Sequence, residues 1–130
     1  MTVSTTFDHM LSAQELRGVI AFSGAILLSR DPAITAHAGG GQGSAYQLEK
    51  LYSVITTCAT SGDSVKLPAA LDSSYSRIAI VTNTTGANCS VYPQSGGTIS
   101  GNPTNTSISL TTGVTMVFFA STDIDWYLVS

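Results

Sequence analysis

Asp123 and Asp125 stand two residues apart, a spacing that puts both carboxylates on one face of a strand. Such a pair can bind calcium or exchange protons with a substrate. No further acidic ligand lies near them, so the expectation is an exposed turn. Asp63 and Asp72 flank Lys66-Leu67-Pro68 and are expected to cap turns. The chain has two histidines, His9 and His37. Serines are plentiful, but a Ser-His-Asp hydrolase of the elbow type needs G-x-S-x-G, and that motif is missing. His37 is expected in a loop, beside the glycine run Gly39-Gly40-Gly41-Gln42-Gly43. A phosphate-binding loop ends in Gly-Lys-Ser/Thr, whereas Gln42-Gly43-Ser44 stands here, so the run reads as a hinge.

Cys58 and Cys89 lack the paired spacing of a metal site. Both fall in strand-like runs. Buried free thiols are the expectation for them, with a disulfide and then a functional role as the alternatives. Tyr46, Tyr52, Tyr75, Tyr92, Trp126 and Tyr127 are rings on which a sugar can stack. No cluster of aromatic with acidic residues accompanies them, and burial explains most of them. The expectation is therefore no enzyme, no catalytic residue, no metal and no cofactor.

Composition narrows the classes further. A chain of 130 residues with 43% apolar content can build one compact domain. Charged residues are only 10%, far below the roughly 25% of ordinary soluble domains. Ile78 to Thr122 carries no Asp, Glu, Lys, Arg or His. A free monomer uses charge to stay soluble and to guard its sheet edges. So neutral a surface points to one covered by other subunits, with a neutral monomeric sandwich as the alternative. The net charge is −3, and the basic residues Arg17, Arg30, Lys50, Lys66 and Arg77 are scattered singly. No basic patch is available for nucleic acid or an anionic membrane.

Val19 to Ser29 has the apolar character of a signal-peptide core, and Ala36-His37-Ala38 imitates a cleavage site. The positive segment ahead of it is missing, so secretion is not expected. The run is also too short to span a bilayer. Asn83-Thr84-Thr85, Asn88-Cys89-Ser90 and Asn105-Thr106-Ser107 match the glycosylation pattern. Without secretion they are expected to serve turns and β surfaces.

The elements that must hold these groups are short strands. Residues 1–43 read as an N-terminal arm plus the glycine-rich hinge, and residues 44–130 as the β domain. Leu11 to Glu15 matches a capping box and predicts one helical turn. Val19 to Leu28 reads as extended, because Gly18 and Gly24 both weaken a helix. The first half of Tyr46 to Thr57 suits a helix, and the second half a strand. Strands are then predicted near Ser64–Leu67, Arg77–Asn83, Asn88–Tyr92, Thr98–Ser100, Thr106–Leu110, Val114–Ala120 and Asp125–Val129. Thr111-Thr112-Gly113 reads as a hairpin turn between two of them. Ser107 to Leu110 alternates, which sends Ile108 and Leu110 to the core. Pro68 and Pro93 stop strands because proline has no backbone donor. Gly86, Gly97 and Gly101 are expected at turns with positive φ. Trp126 and Tyr127 are expected to close one mouth of the core. The sum is an all-β chain: a compact antiparallel β-barrel or jelly-roll-like sandwich of about eight strands, with an extended N-terminal arm.

The series Val54-Ile55-Thr56-Thr57, Gly62-Asp63-Ser64-Val65-Lys66-Leu67-Pro68-Ala69-Ala70 resembles a module of tailed-phage structural proteins. Val81-Thr82-Asn83, Gly86-Ala87, Val91-Tyr92-Pro93, Gly97-Thr98-Ile99-Ser100-Gly101 and the terminal Trp126 continue the likeness. The module occurs in head decoration (cement) proteins, head fibres and some tail-fibre segments. Where that family often carries Asn, this chain has Ser100. The resemblance implies a trimeric β-rich protein on the outside of a virion, with no catalytic residue. The expected function is then a decoration protein that binds the major capsid protein as a homotrimer, on the outer surface of a phage head. The alternative is a tail-fibre or head-fibre domain that binds host glycans. A small hydrolase is the third class, and it lacks its constellation.

Overall fold

The computed structural model describes residues 27–69 and 76–129. Within them the chain is all-β, with nine strands and no helix. No helix there is long and apolar enough to cross a membrane. The strands are β1 (Arg30–Thr35), β2 (Tyr46–Gln47), β3 (Tyr52–Thr57), β4 (Ser64–Lys66), β5 (Ile78–Asn83), β6 (Cys89–Tyr92), β7 (Ile108–Leu110), β8 (Thr115–Ala120) and β9 (Trp126–Leu128). They form a five-stranded sheet in the order β1-β3-β5-β8-β9 and a four-stranded sheet in the order β2-β4-β6-β7.

The order reveals a winding. Successive strands from β1 to β6 alternate between the two sheets. Each pair (β1 with β2, β3 with β4, β5 with β6) makes one coil, and the coils stack in parallel. After β6 the chain reverses. β7 adds antiparallel to β6, then β8 adds antiparallel to β5 and β9 to β8. The antiparallel expectation is therefore corrected to a mixed architecture. A period of two reports which side chains face inward, and it is the same for both strand senses. The sheets are not closed into a barrel.

Parallel stacking puts equivalent side chains in rows. Ile34, Ile55 and Asn83 occupy one row, Ser53 and Val81 another, and Val65 and Val91 a third on the opposite sheet. These residues join Leu48, Leu67, Cys89, Ile99, Leu110, Phe118 and Trp126 in the buried interior between the sheets. Burying each large apolar side chain contributes roughly 1.5–3 kcal/mol. Leu110 is fully buried and Ile108 packs against the core, as their alternation predicts.

Several local expectations change. The segment ahead of the glycine hinge is not wholly an arm, because β1 pairs with β3 and sends Ile34 and Ala36 into the core. Residues 46–47 form a strand where a helical start was expected. Thr111 to Gly113 does not close a hairpin, since β7 and β8 belong to different sheets. Thr98 to Ser100 forms no strand. It lies along β9 through a single bridge between Ile99 and Trp126. The Trp126 amide donates to Thr98 O (3.0 Å), Ser100 N donates to Trp126 O (2.8 Å), and Leu128 N donates to Ser100 Oγ (2.9 Å). An edge that would otherwise template pairing with another chain is covered in this way. Ser100 has φ 51°, in the left-handed region that Asn tolerates better than Ser. Of the three glycines expected at positive φ, only Gly101 has it. Gly97 answers to close approach instead, because a Cβ there would strike the Ile124 carbonyl. The expected turn at Leu11–Glu15 and most of the Val19–Leu28 run lie outside the described residues.

Candidate interaction surface

The residue types with chemical potential do not converge. Asp125 Oδ1 accepts from Thr98 N (2.9 Å) and Thr98 Oγ1 (3.0 Å), and its Oδ2 accepts from Thr122 Oγ1 (2.8 Å). Its carboxylate is thus spent on holding the corner between β8 and β9. Asp123 is exposed beside it. No grouping of three metal-ligating side chains exists among the described residues. His37 is exposed, and its backbone exchanges hydrogen bonds with Ser64. Asp63 is buried and ties the glycine hinge to the second coil. Its oxygens accept from Ala59 N (2.8 Å), Thr60 Oγ1 (2.9 Å), Thr60 N (3.2 Å) and Gly39 N (3.2 Å). Asp72 and Tyr75 lie outside the described residues.

The rings are likewise dispersed. Trp126 is in the core, Tyr46 sits on the edge strand β2, and Tyr92 is half-buried with its hydroxyl accepting from Gly41 N (3.3 Å). Tyr127 does not close the core but is 59% exposed on the opposite face of the larger sheet. A cleft of about 360 Å³ lies between Gln47, Glu49, Arg77 and Gln94. Its two glutamines and its arginine are already paired. Gln94 Nε2 donates to Gln47 Oε1 (2.9 Å) and Leu67 O (2.6 Å), and Arg77 donates to Ala69 O (2.6 Å) and Glu49 O (2.7 Å). Burial lowers the Arg77 pKa, against the opposing charge of Glu49.

What does converge is the outer face of the five-stranded sheet. Strand β5 buries Ala79, Val81 and Asn83, so Ile78, Ile80 and Thr82 face outward. Pairing sets three rows across that face: Arg30, Tyr52, Ile80 and Val117; Ile78, Phe119 and Tyr127; Val54, Thr82 and Thr115. Thr82 confirms the shared side, donating to the Tyr52 hydroxyl (3.3 Å) and sharing a hydrogen bond with Thr115 (2.8 Å). Val129, 60% exposed, extends the second row's strand and donates its amide to Val117 O (2.8 Å). Strands β3, β5, β8 and β9 carry no charged residue at all. A sheet with one face in water normally alternates apolar inward and polar outward. Across β3, β5, β8 and β9 the outer face is instead uncharged and largely apolar, an unusual surface to leave in water, and the exposed Arg30 of β1 borders it beside Tyr52. The chain matches no known protein family, no curated protein and no solved structure.

Sequence reading detected the missing charge but not this face. The available signal was the loss of polar alternation in Ile78-Ala79-Ile80-Val81 and Met116-Val117-Phe118-Phe119.

The two bonded carboxylates make stability depend on acid. Hydrogen bonds from the Thr60 amide and hydroxyl, and then from Gly39 and Ala59, hold Asp63 below the usual carboxylate range. The Thr122 hydroxyl, followed by the Thr98 hydroxyl and amide, lowers Asp125. A carboxylate depressed in the folded state stabilises above its unfolded pKa of about 4, and that contribution disappears as pH falls through the folded value. The melting temperature is expected to hold from neutral pH to about 5 and to fall below about 4. Asp63→Asn lowers it at neutral pH and flattens the acid limb. Thermal circular dichroism between neutral and acid pH checks this, and an unchanged acid limb in the variant would remove Asp63 from the account.

Proposed function

We propose that this chain is a capsid decoration (cement) protein, a homotrimer on the outer surface of a phage head that stabilises the shell by binding the major capsid protein. The observation that carries this reading is the uncharged, largely apolar outer face of strands β3, β5, β8 and β9. It fits a protein whose work is contact with other subunits. The dispersed rings and internally satisfied carboxylates favour it over glycan binding: Tyr52 and Tyr127 share the face, but β5 and β8 lie between them. In this reading the outer face joins copies of the chain. The apolar run from Val19, ahead of β1, engages the capsid.

The mechanism is thermodynamic. A protein that binds only the assembled shell shifts the assembly equilibrium by mass action. Several arms bound at once add avidity beyond any single contact. Heads bearing the protein are expected to release DNA at a higher temperature than heads lacking it, measured by dye access during a thermal ramp. Equal release temperatures would end the cement reading, and glycan-array binding without capsid binding would favour the fibre alternative.

A further inference from the structure

The two cysteines meet in one corner of the interior. Cys58 follows β3 in the second coil and Cys89 opens β6 in the third. Cys58 Sγ donates to Thr60 O (3.5 Å) and to Asn88 O (3.6 Å), the carbonyl just before Cys89. Cys89 Sγ donates to Asp63 O (3.3 Å). The same Asp63 holds Ala59 N, the amide just after Cys58 (2.8 Å). Each thiol is therefore anchored to backbone that adjoins, or is tied to, the other. Both are free thiols in this structure.

We propose that Cys58 and Cys89 are a latent disulfide, a covalent modification site that ties the second coil to the third. The oxidant is a small-molecule disulfide such as oxidised glutathione. Cys58, the more accessible of the two at 7% exposure, loses its proton and attacks one glutathione sulfur. That forms a mixed disulfide and expels one glutathione thiolate. Cys89 then loses its proton, attacks Cys58 Sγ and expels the second. Two protein thiols are oxidised by two electrons, and one external disulfide is reduced to two thiols.

Burial, and then the neighbouring Cys58, push the Cys89 thiol up to about 12. Thiolate is the reactive form, so closure is slow while the corner stays shut. The bond accumulates only outside a reducing compartment. Once made, it constrains the unfolded chain across the loop from β3 to β6 and raises the melting temperature by roughly 10 °C.

The test incubates the full chain with oxidised glutathione at alkaline pH, alkylates it under denaturing conditions, and reads intact and peptide masses. The expected product has lost two hydrogen atoms, carries no alkyl group and yields a Cys58–Cys89 cross-linked peptide. Cys58→Ser and Cys89→Ser each abolish that product and the gain in melting temperature. A second arm oxidises the chain during refolding from denaturant, where thiol access is not limiting. Folded protein from that arm with both thiols still alkylatable, or carrying only stable glutathione adducts, overturns the proposal.

Discussion

Replacing Phe119 and Tyr127 together by lysine is expected to leave the chain folded but monomeric. The two residues oppose each other across β8 and β9, at the β9 edge of the apolar outer face. They are 39% and 59% exposed, so neither substitution opens a hole in the core. In the proposed trimer, with this face as the seam, the same positions would be desolvated. Two buried ammonium groups without partners then oppose association, and two aromatic anchors are lost. Each such anchor is commonly worth 2 kcal/mol or more, so association weakens by about 100-fold at least. Light scattering after size exclusion gives the mass, and far-ultraviolet circular dichroism verifies the fold. Ser109→Lys, exposed on the other sheet, serves as the control and leaves the mass unchanged. A wild-type chain that is monomeric at micromolar concentration, or a double variant with the wild-type mass, rejects this face as the subunit seam.

The largest effect on stability is expected at Asn83. It completes the row begun by Ile34 and Ile55, yet it is polar and fully buried. Its amide is completely used. Nδ2 donates to Ala87 O (2.8 Å) and Leu110 O (2.9 Å), while Oδ1 accepts from Thr85 N (2.9 Å) and Thr85 Oγ1 (2.7 Å). One side chain thereby closes the β5–β6 turn and fastens the end of β7 to it. Asn83→Asp keeps the shape but turns both donors into an acceptor facing two carbonyls. With the buried charge and the orphaned carbonyls together, the loss is about 3–5 kcal/mol. That corresponds to a fall in melting temperature of more than roughly 10 °C. Urea unfolding measures it, and a loss below about 1 kcal/mol would show that the network is dispensable.

Asn83 also shows how far sequence reading reaches. Asn83-Thr84-Thr85 has the form of a glycosylation site, and turn chemistry is the expected alternative. The turn is what the structure contains. Asn88 and Asn105 behave alike, accepting from the Thr112 and Gly96 amides. A bond such as Thr85 N to Asn83 Oδ1 stays within the turn, so residue type nearly suffices to predict it, whereas Thr112 N to Asn88 crosses 24 residues. That Asn83 also reaches Leu110, far along the chain, was beyond local pattern.

The all-β class and most strand positions were legible for the same local reason: alternation and turn residues act within about ten residues. The absence of charge was legible too, and it raised the expectation of a covered surface. Which surface was not. That depends on β5 pairing with β3 on one side and β8 on the other, which sets Tyr52, Ile80 and Val117 in one row. The parallel winding, the place of β1 in the larger sheet, the crossing at Thr111–Gly113 and the meeting of Cys58 with Cys89 share that dependence. Each is a choice among partners with the same inward-outward period, made by the packing of two sheets around one core. By itself the sequence determined strands, turns and a neutral exterior. Tertiary structure alone decided which strands are neighbours, and so where the neutral exterior becomes one continuous apolar face.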